Sequence, residues 1–253
     1  MKKLFLVILC ILPFFSLHAL PSFNIAEPSL LKDGIFISDE SFINVRLGFS
    51  QGYLKNEDFV FSNGPANNLI ISATTALAKI IINLKERLDI GALIGTETPS
   101  MSFKYQNNSF FLKFNENWFY CARFAATVFE IAKYSFGGNF LYYYFKSHTN
   151  YYLKNTLPFF TEYASFKKKG WVVNIGVTRE FGAFSPYLGI AICNNSANFY
   201  GFSFLPQSVL KANDNKLMGC FFGCGIENNF CLLNIETRFI NETAAYFSID
   251  LRF

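Results

Sequence analysis

Few residues in this sequence belong to the types that carry enzyme chemistry. Histidine occurs only at His18 and His148, and His18 lies in the leader segment described below. The sequence contains no GxSxG, HExxH or P-loop motif, which would fix a nucleophile, a metal ion or a phosphate. His148 would have to act alone, and a lone histidine in a polar segment is usually solvated surface. We therefore expect no enzyme activity.

Cysteine is the second residue type that could support chemistry. Cys220, Cys224 and Cys231 lie close together in the sequence. A zinc site needs tighter CxxC-type pairs and a fourth ligand, so we expect neither a metal nor a cofactor. An oxidising compartment would permit disulfides, although small apolar residues in a barrel wall are the interpretation that we favour. Beyond the leader there are five disulfide candidates, an odd number that would leave one cysteine without a partner in the same chain. They are Cys121, Cys193, Cys220, Cys224 and Cys231.

Charged residues recur at a spacing of two, which places them on one side of an extended strand. Glu236 and Arg238 show this spacing, and Asp250 and Arg252 repeat it. In a membrane pore such residues face the lumen and set the field that an ion crosses. The candidates for a pore lining are Arg46, Asp89, Glu236, Arg238, Tyr246, Asp250 and Arg252.

The charged candidates comprise three bases and three acids, so we expect weak ion selectivity. If the last two strands pair as a simple hairpin, Glu236, Arg238, Asp250 and Arg252 would form one cluster near a mouth of the pore. The alternative is that these groups pair with each other and close the lumen, as in small barrels. On the residues alone, a pore and a plugged barrel are equally supported.

The first 19 residues predict a secretory signal peptide. Lys2 and Lys3 precede the apolar run Leu4–Phe15, and Leu17–Ala19 is a plausible cleavage site. The apolar run is shorter than the roughly 20 residues that a spanning helix needs. We therefore expect residues 1–19 to be removed, and residues 20–253 to form one domain because no linker or repeat divides them.

The composition predicts an exported membrane protein without spanning helices. Charged residues make up 16% and aromatic residues 19% of the 253 residues, which excludes disorder. The net charge of +4 without a basic stripe argues against nucleic-acid binding. No uncharged apolar run of about 18 residues follows the leader, and the best candidate, Leu69–Ile82, contains Lys79. A closed β-barrel is the other structure that can span lipid.

Alternation of apolar and polar residues supports the barrel. In the last ten residues Phe247, Ile249 and Leu251 share one face, while Asp250 and Arg252 share the other. The pattern predicts a single antiparallel transmembrane β-barrel of about 12 strands, with a range of 10 to 16 and an even number. A secreted β-sandwich also alternates, but its outer faces would be more charged. Long loops are expected at Glu57–Asn68, Thr98–Asn117 and Ser147–Lys169, and further strands could lie within Ser109–Phe114 and Tyr151–Ser165.

Five segments, in order along the chain, resemble the chlamydial major outer membrane protein porins. They include the first segment after the leader, an early strand, a strand–turn–strand unit and the C-terminal strands. The matching segments are Leu20–Ile35, Ile43–Phe61, Asn83–Gly95, Phe184–Phe199 and Ile235–Phe253. This chain is shorter than members of that family, chiefly in the outer loops. It also has no cysteine in Ile35–Asn44, where the family carries a cluster.

The resemblance implies an outer-membrane porin that allows passive diffusion of ions and small solutes, with a structural role in the cell envelope. A non-conducting structural or surface-interaction barrel is the alternative. The expected partners are outer-membrane lipid, small solutes and ions, and the barrel-assembly machinery, which would read the C-terminal strand ending at Phe253. A homo-oligomer is left open, and no nucleic acid is expected.

Overall fold

The computed structural model describes Asn24 and residues 27–30, 42–62, 67–202, 209–228 and 230–253. The predicted signal peptide lies outside these residues, so its removal stays a prediction. Among the described residues, no helix is long and apolar enough to cross a bilayer. The elements are α1 (Glu27–Leu30), β1 (Ile43–Phe61), β2 (Asn67–Leu84), β3 (Leu88–Tyr105), β4 (Asn108–Lys113), β5 (Asn117–Ile131), β6 (Tyr134–Lys154), β7 (Leu157–Arg179), β8 (Phe184–Tyr200), β9 (Val209–Asp214), β10 (Met218–Asn228), β11 (Cys231–Phe239) and β12 (Glu242–Arg252).

The twelve strands form one antiparallel sheet that closes into a barrel, because β1 pairs with β2 on one side and with β12 on the other. We call the end that holds Phe253 and the β2–β3 turn the terminal end. The opposite end, which holds the β3–β4 and β6–β7 turns, is the far end. All pairings between the described strands are antiparallel, as the alternation predicted.

Ten strand positions surround the terminal half of the barrel, fewer than the predicted number of about 12. β4 and β5 are successive parts of one position, since both lie between β3 and β6. β9 and β10 likewise succeed each other beside β8. Short irregular segments interrupt these two positions, so twelve strands fill ten places.

The barrel narrows toward the far end. The hairpin between β11 and β12 turns back at Ile240 and Asn241, level with the middle of β1. Beyond this hairpin, β9 pairs directly with β1 through Phe59 and Asp214. Eight positions therefore enclose the far half. A barrel of about eight strands has an interior just wide enough for side chains to fill.

Side chains alternate between the two faces along every strand. In the terminal half the outward residues are apolar and exposed, for example Leu47, Phe49, Ile80 and Ile82. The inward residues are polar and buried, and include Arg46. This is the arrangement of a membrane-spanning barrel, whose outer face meets lipid.

A one-residue bulge in β1 changes which residues of that strand point inward. The register with β2 and β12 shifts between Leu54 and Glu57. Lys55 and Asn56 are both exposed within this shift, whereas Leu54 and Glu57 are both buried. The bulge therefore turns Glu57 and Phe59 into the interior.

Most of the segments predicted as long loops are strands. β1 continues to Phe61, β3 continues to Tyr105, and β6 and β7 run to Lys154 and from Leu157. β4, at Asn108–Lys113, matches the strand suspected within Ser109–Phe114. In these extensions many outward residues are polar, such as Lys104 and Lys113, while inward residues such as Phe103 and Leu112 are apolar, so the pattern expected of a membrane strand is inverted.

Candidate functional site

The interior of the terminal half holds a buried ion-pair network built around Glu27. The Glu27 carboxylate lies 3.1 and 3.3 Å from the two terminal nitrogens of Arg123, and 3.4 Å from Arg46 Nη1. Asp89 binds Arg46 from the other side and lies 3.4 Å from Arg123. All four side chains are at most 2% exposed. Two buried arginines thus meet two buried carboxylates, an arrangement that is strongly destabilised if one partner is lost.

Helix α1 lies inside the barrel and is tied to its wall. Asn83 donates to the carbonyl oxygen of Pro28 at 3.0 Å, and Arg46 donates to that of Glu27 at 3.1 Å. Asn24 extends this contact to the opposite wall, where it accepts a hydrogen bond from Thr178 at 2.8 Å. We call Asn24 and residues 27–30 the plug. The plug crosses the lumen of the terminal half and is held by both sides of it.

Lys79 and Asp250 form a second buried ion pair, with 2.5 Å between Nζ and Oδ2. The two residues lie on β2 and β12, which are separated by β1. Gly48 of β1 is the register partner of both. A Cβ on Gly48 would lie 2.2 Å from Asp250 Oδ1 and 2.8 Å from Lys79 Cε. The absence of a side chain at Gly48 is what lets the pair span a whole strand.

A middle layer of charges lies beyond the plug. Lys168 binds Glu57, which also accepts a hydrogen bond from Asn195 at 2.9 Å. Glu97 is buried in the same layer. Lys168 additionally lies 5.5 Å from the ring centre of Tyr143, a distance at which a cation is attracted to an aromatic face.

Arg238 makes most of the contacts on the other side of the middle layer. It contacts Glu236 at 2.8 Å and Glu242 at 3.2 Å, and its guanidinium carbon lies 5.1 Å from the ring centre of Tyr246. Tyr246 donates to Glu242 at 3.2 Å. Across the whole middle layer Lys168 and Arg238 face Glu57, Glu97, Glu236 and Glu242. Two cations therefore meet four carboxylates, and this layer has an excess of acid.

The interior of the far half is a continuous aromatic core. Phe61 of β1 lies 5.5 Å from Phe103 of β3 and 5.9 Å from Phe199 of β8, measured between ring centres. Phe199 contacts Phe166 of β7 at 5.3 Å, and Phe166 contacts Phe114 at the same distance. Each of these side chains is at most 8% exposed. We call this group the aromatic seal, because its rings join strands on opposite sides of the eight-stranded section.

The structure places all seven predicted pore-lining residues on the inner face. Each is at most 2% exposed: Arg46, Asp89, Glu236, Arg238, Tyr246, Asp250 and Arg252. Whether they line an open pore stays a prediction, since their charged groups are engaged with protein partners. Arg252, for example, contacts Glu86 at 3.3 Å, at the mouth of the terminal end.

The four C-terminal charges do not form the single cluster that the sequence predicted. β11 and β12 do pair as a hairpin, with Glu236 opposite Tyr246 and Asp250 opposite Leu232. This register puts Arg238 near the turn and Arg252 at the other end of the strand. The error arose because residues that repeat a spacing on two antiparallel strands need not lie at the same height.

The described cysteines form no disulfide, and all five are free. Cys121 of β5 and Cys193 of β8 are buried on the inner face but lie on strands that do not pair. Cys220 and Cys224 are on the outer face of β10, while Cys231, at the start of β11, pairs in register with Asn228. Disulfides need neighbouring Cβ atoms, and these positions do not supply them.

His148 lies on the outer face of β6 and is exposed, in a strand instead of the predicted loop. No group of three or more histidine, cysteine or acidic side chains within the described ranges could hold a metal ion.

Several interior charges were not predicted from the sequence. Lys79 and Arg123 lie in segments recognised as strands, and their alternation with apolar neighbours was a usable signal. Glu57 and Lys168 were assigned to loops. No sequence pattern pointed to Glu27, because nothing in its segment indicates that it enters the barrel.

Comparison with known proteins adds only distant likenesses. No protein-family model and no curated protein matches the sequence, so its resemblance to the chlamydial porins stays a prediction. Among solved structures, the outer membrane protease OmpT from Escherichia coli is 10% identical with a TM-score of 0.44, covering 83% of this chain and 96% of that one. The translocator domain of the autotransporter NalP from Neisseria meningitidis is 13% identical with a TM-score of 0.40, covering 84% and 89%. Likenesses this distant indicate neither an activity nor a ligand.

Proposed function

We propose that this chain is an outer-membrane β-barrel with a sealed interior, acting as a structural or surface-interaction protein that does not conduct. The observation that carries the proposal is the aromatic seal across the eight-stranded section. The ring of Phe199 contacts the rings of Phe61 and Phe166 there, with ring centres 5.3 to 5.9 Å apart, and all three are buried in the interior. An aqueous channel needs a wider barrel with a polar interior.

The outer face supports placement in a membrane. On β7 the outward residues between Lys169 and Arg179 are apolar, from Trp171 to Val177. Residues 170–178 number nine, and a tilted strand crosses the hydrocarbon core with about 9–11 residues. Short turns connect the strands at the terminal end, as at Lys85–Arg87. Two-residue turns also occur at the far end, but there β6 and β7 run well past the apolar band, to Lys154 and from Leu157. The longer extensions of bacterial barrels lie on the outer side of the membrane, so the far end would face outward.

Electrical recording tests the sealed barrel directly. The refolded chain is inserted into planar bilayers, and folding is checked by its heat-modifiable migration on gels. We expect no stepwise current from folded protein. Reproducible single-channel steps would overturn the proposal.

A porin is the second candidate, favoured by the polar interior of the terminal half and by the resemblance to the chlamydial porins. It requires the plug and the aromatic seal to move aside. The middle layer would then favour cations, because Lys168 and Arg238 face four carboxylates. A conducting protein should therefore show a cation-selective reversal potential under a salt gradient, in contrast to the weak selectivity predicted from the sequence.

A further inference from the structure

A row of lysines crosses four adjacent strands on the outer face of the far half. Lys146 of β6 is the register partner of Lys167 of β7, Lys167 pairs with Asn198 of β8, and Asn198 pairs with Lys211 of β9. Lys169 lies two residues from Lys167 on the same face. We call Lys146, Lys167, Lys169 and Lys211 the lysine row. Adjacent strands lie about 4.8 Å apart, so the row is about 14 Å wide.

Among the described side chains, the lysine row has no acidic partner. None of its four members forms an ion pair with any residue that the structure describes, whereas most interior cations do. Lys146 and Lys167 lie directly opposite each other, and like charges in that position are destabilising. Lys167 turns its ammonium toward the ring of Tyr144, at 5.1 Å from the ring centre. Unpaired like charges held together on a rigid sheet form a site for an anion.

The height of the lysine row on the barrel indicates which anion it would bind. Lys169 lies next to Trp171, where the run of apolar outward residues from Val177 to Trp171 gives way to lysines, and Tyr144 lies opposite Lys169. Aromatic residues mark the membrane interface in barrels. The row therefore lies where the headgroups of the outer leaflet begin. Ser196 and Asn198, both half-buried between the lysines, add polar side chains at the same level.

We propose that the lysine row binds the phosphate groups of a diphosphorylated glycolipid in the outer leaflet. This proposal rests on the membrane placement in the proposed function. A width of about 14 Å exceeds what a single phosphate can occupy, so two phosphates on one headgroup fit the row better. The acyl chains would lie along the apolar face that begins at Trp171.

Lipid retention measured by native mass spectrometry tests the proposal. The full chain is folded in nanodiscs of a zwitterionic phospholipid containing diphosphorylated lipid A. The lipid A molecules that stay bound when the protein is released from the nanodisc are then counted. We expect the triple variant K146Q/K167Q/K169Q to bind lipid A roughly a hundredfold more weakly. That corresponds to about 3 kcal/mol, at about 1 kcal/mol per lysine near an anionic surface.

The matched control removes the same charge elsewhere at the far end, in the variant K55Q/K104Q/K154Q. These lysines are exposed or half-exposed and lie outside the row. Equal loss of lipid A in both variants would overturn the proposal, because general surface charge would then explain binding. Equal retention of dephosphorylated lipid A, or of phosphatidylglycerol, by the unchanged protein would also overturn it.

If the chain does not insert into a membrane, the result differs from the one expected if only the lysine row is wrong. A chain that does not insert would show no heat-modifiable migration and no protection from protease, whichever lipid is present. A chain that inserts normally but retains lipid A equally in both triple variants would overturn the lysine row alone.

Discussion

Gly48 is the residue on which the Lys79–Asp250 ion pair depends, because it leaves open the space that the pair crosses. In Gly48→Ala the new Cβ would also lie 2.5 Å from the carbonyl oxygen of Ile249. We expect a loss of about 1–3 kcal/mol in the free energy of unfolding, as for other overpacked sites. Urea unfolding in lipid vesicles measures it.

Gly91→Ala is the matched control for this substitution. Gly91 lies on β3, and an added Cβ there would meet its nearest neighbours at 3.0 Å instead of 2.2 Å. An equal loss of stability in both variants would contradict the role of Gly48, because it would reflect strand propensity alone.

Glu27 is the second residue whose loss should be costly. Glu27→Gln removes the charge that faces Arg46 and Arg123, and leaves Asp89 as the carboxylate that both arginines contact in this network. Breaking a buried ion pair from one side costs about 3–5 kcal/mol. We expect the urea midpoint of Glu27→Gln to fall well below that of Glu116→Gln, since Glu116 is exposed. Identical midpoints would show that the plug does not contribute to stability.

Substitutions on β12 test which face of the barrel meets lipid. Ile249 points outward near the middle of the apolar band, opposite Phe49 of β1. Arginine on the lipid face costs about 2–4 kcal/mol at the bilayer midplane and about 0–1 kcal/mol near the interface. Ile249→Arg should therefore destabilise the folded barrel far more than Thr243→Arg, which lies beside the hairpin turn. The two substitutions are compared by unfolding in vesicles, and equal costs would contradict the assignment of faces.

The strands of the terminal half could be predicted from sequence because one rule applies along them. In β11 and β12 apolar residues point to lipid and polar residues point inward, so alternation alone locates the strands. The rule inverts beyond the membrane. In β3 the inward residues change from Asp89 to Phe103 although the strand keeps the same alternation of faces, while Lys104 points outward. Under the rule that apolar residues point outward, such a segment is assigned to a loop.

The interior network could be predicted only in part, for reasons of chain geometry. Arg46 and Asp250 were found because the alternation of their strands fixed their face, whereas Lys79 and Arg123 lie on recognised strands and were still missed. Glu57 was missed because the bulge at Lys55 and Asn56 changes the inward set. Glu27 was missed because a segment that enters a lumen satisfies partners on several strands, which no local pattern records.

In the proposed sealed barrel the plug and the aromatic seal are two separate barriers across the interior, and each should suffice alone. Deleting residues 24–30 leaves the aromatic seal in place, and replacing Phe61, Phe166 and Phe199 with alanine leaves the plug in place. We expect neither variant to conduct in planar bilayers, and expect the combined variant to conduct. Conductance from either single variant would show that the other barrier does not close the barrel.

The narrowing of the barrel also permits assembly in two stages. The far ring is complete without β11 and β12, since β9 reaches β1 directly through Phe59–Phe61. The hairpin of β11 and β12 lies between β10 and β1, on the terminal side of that contact. We call this hairpin the wedge. The small ring can therefore close before the wedge enters. Pulsed hydrogen exchange during refolding should protect the amides of residues 212–214 before those of 242–252, and the reverse order would mean that the wedge guides the ring.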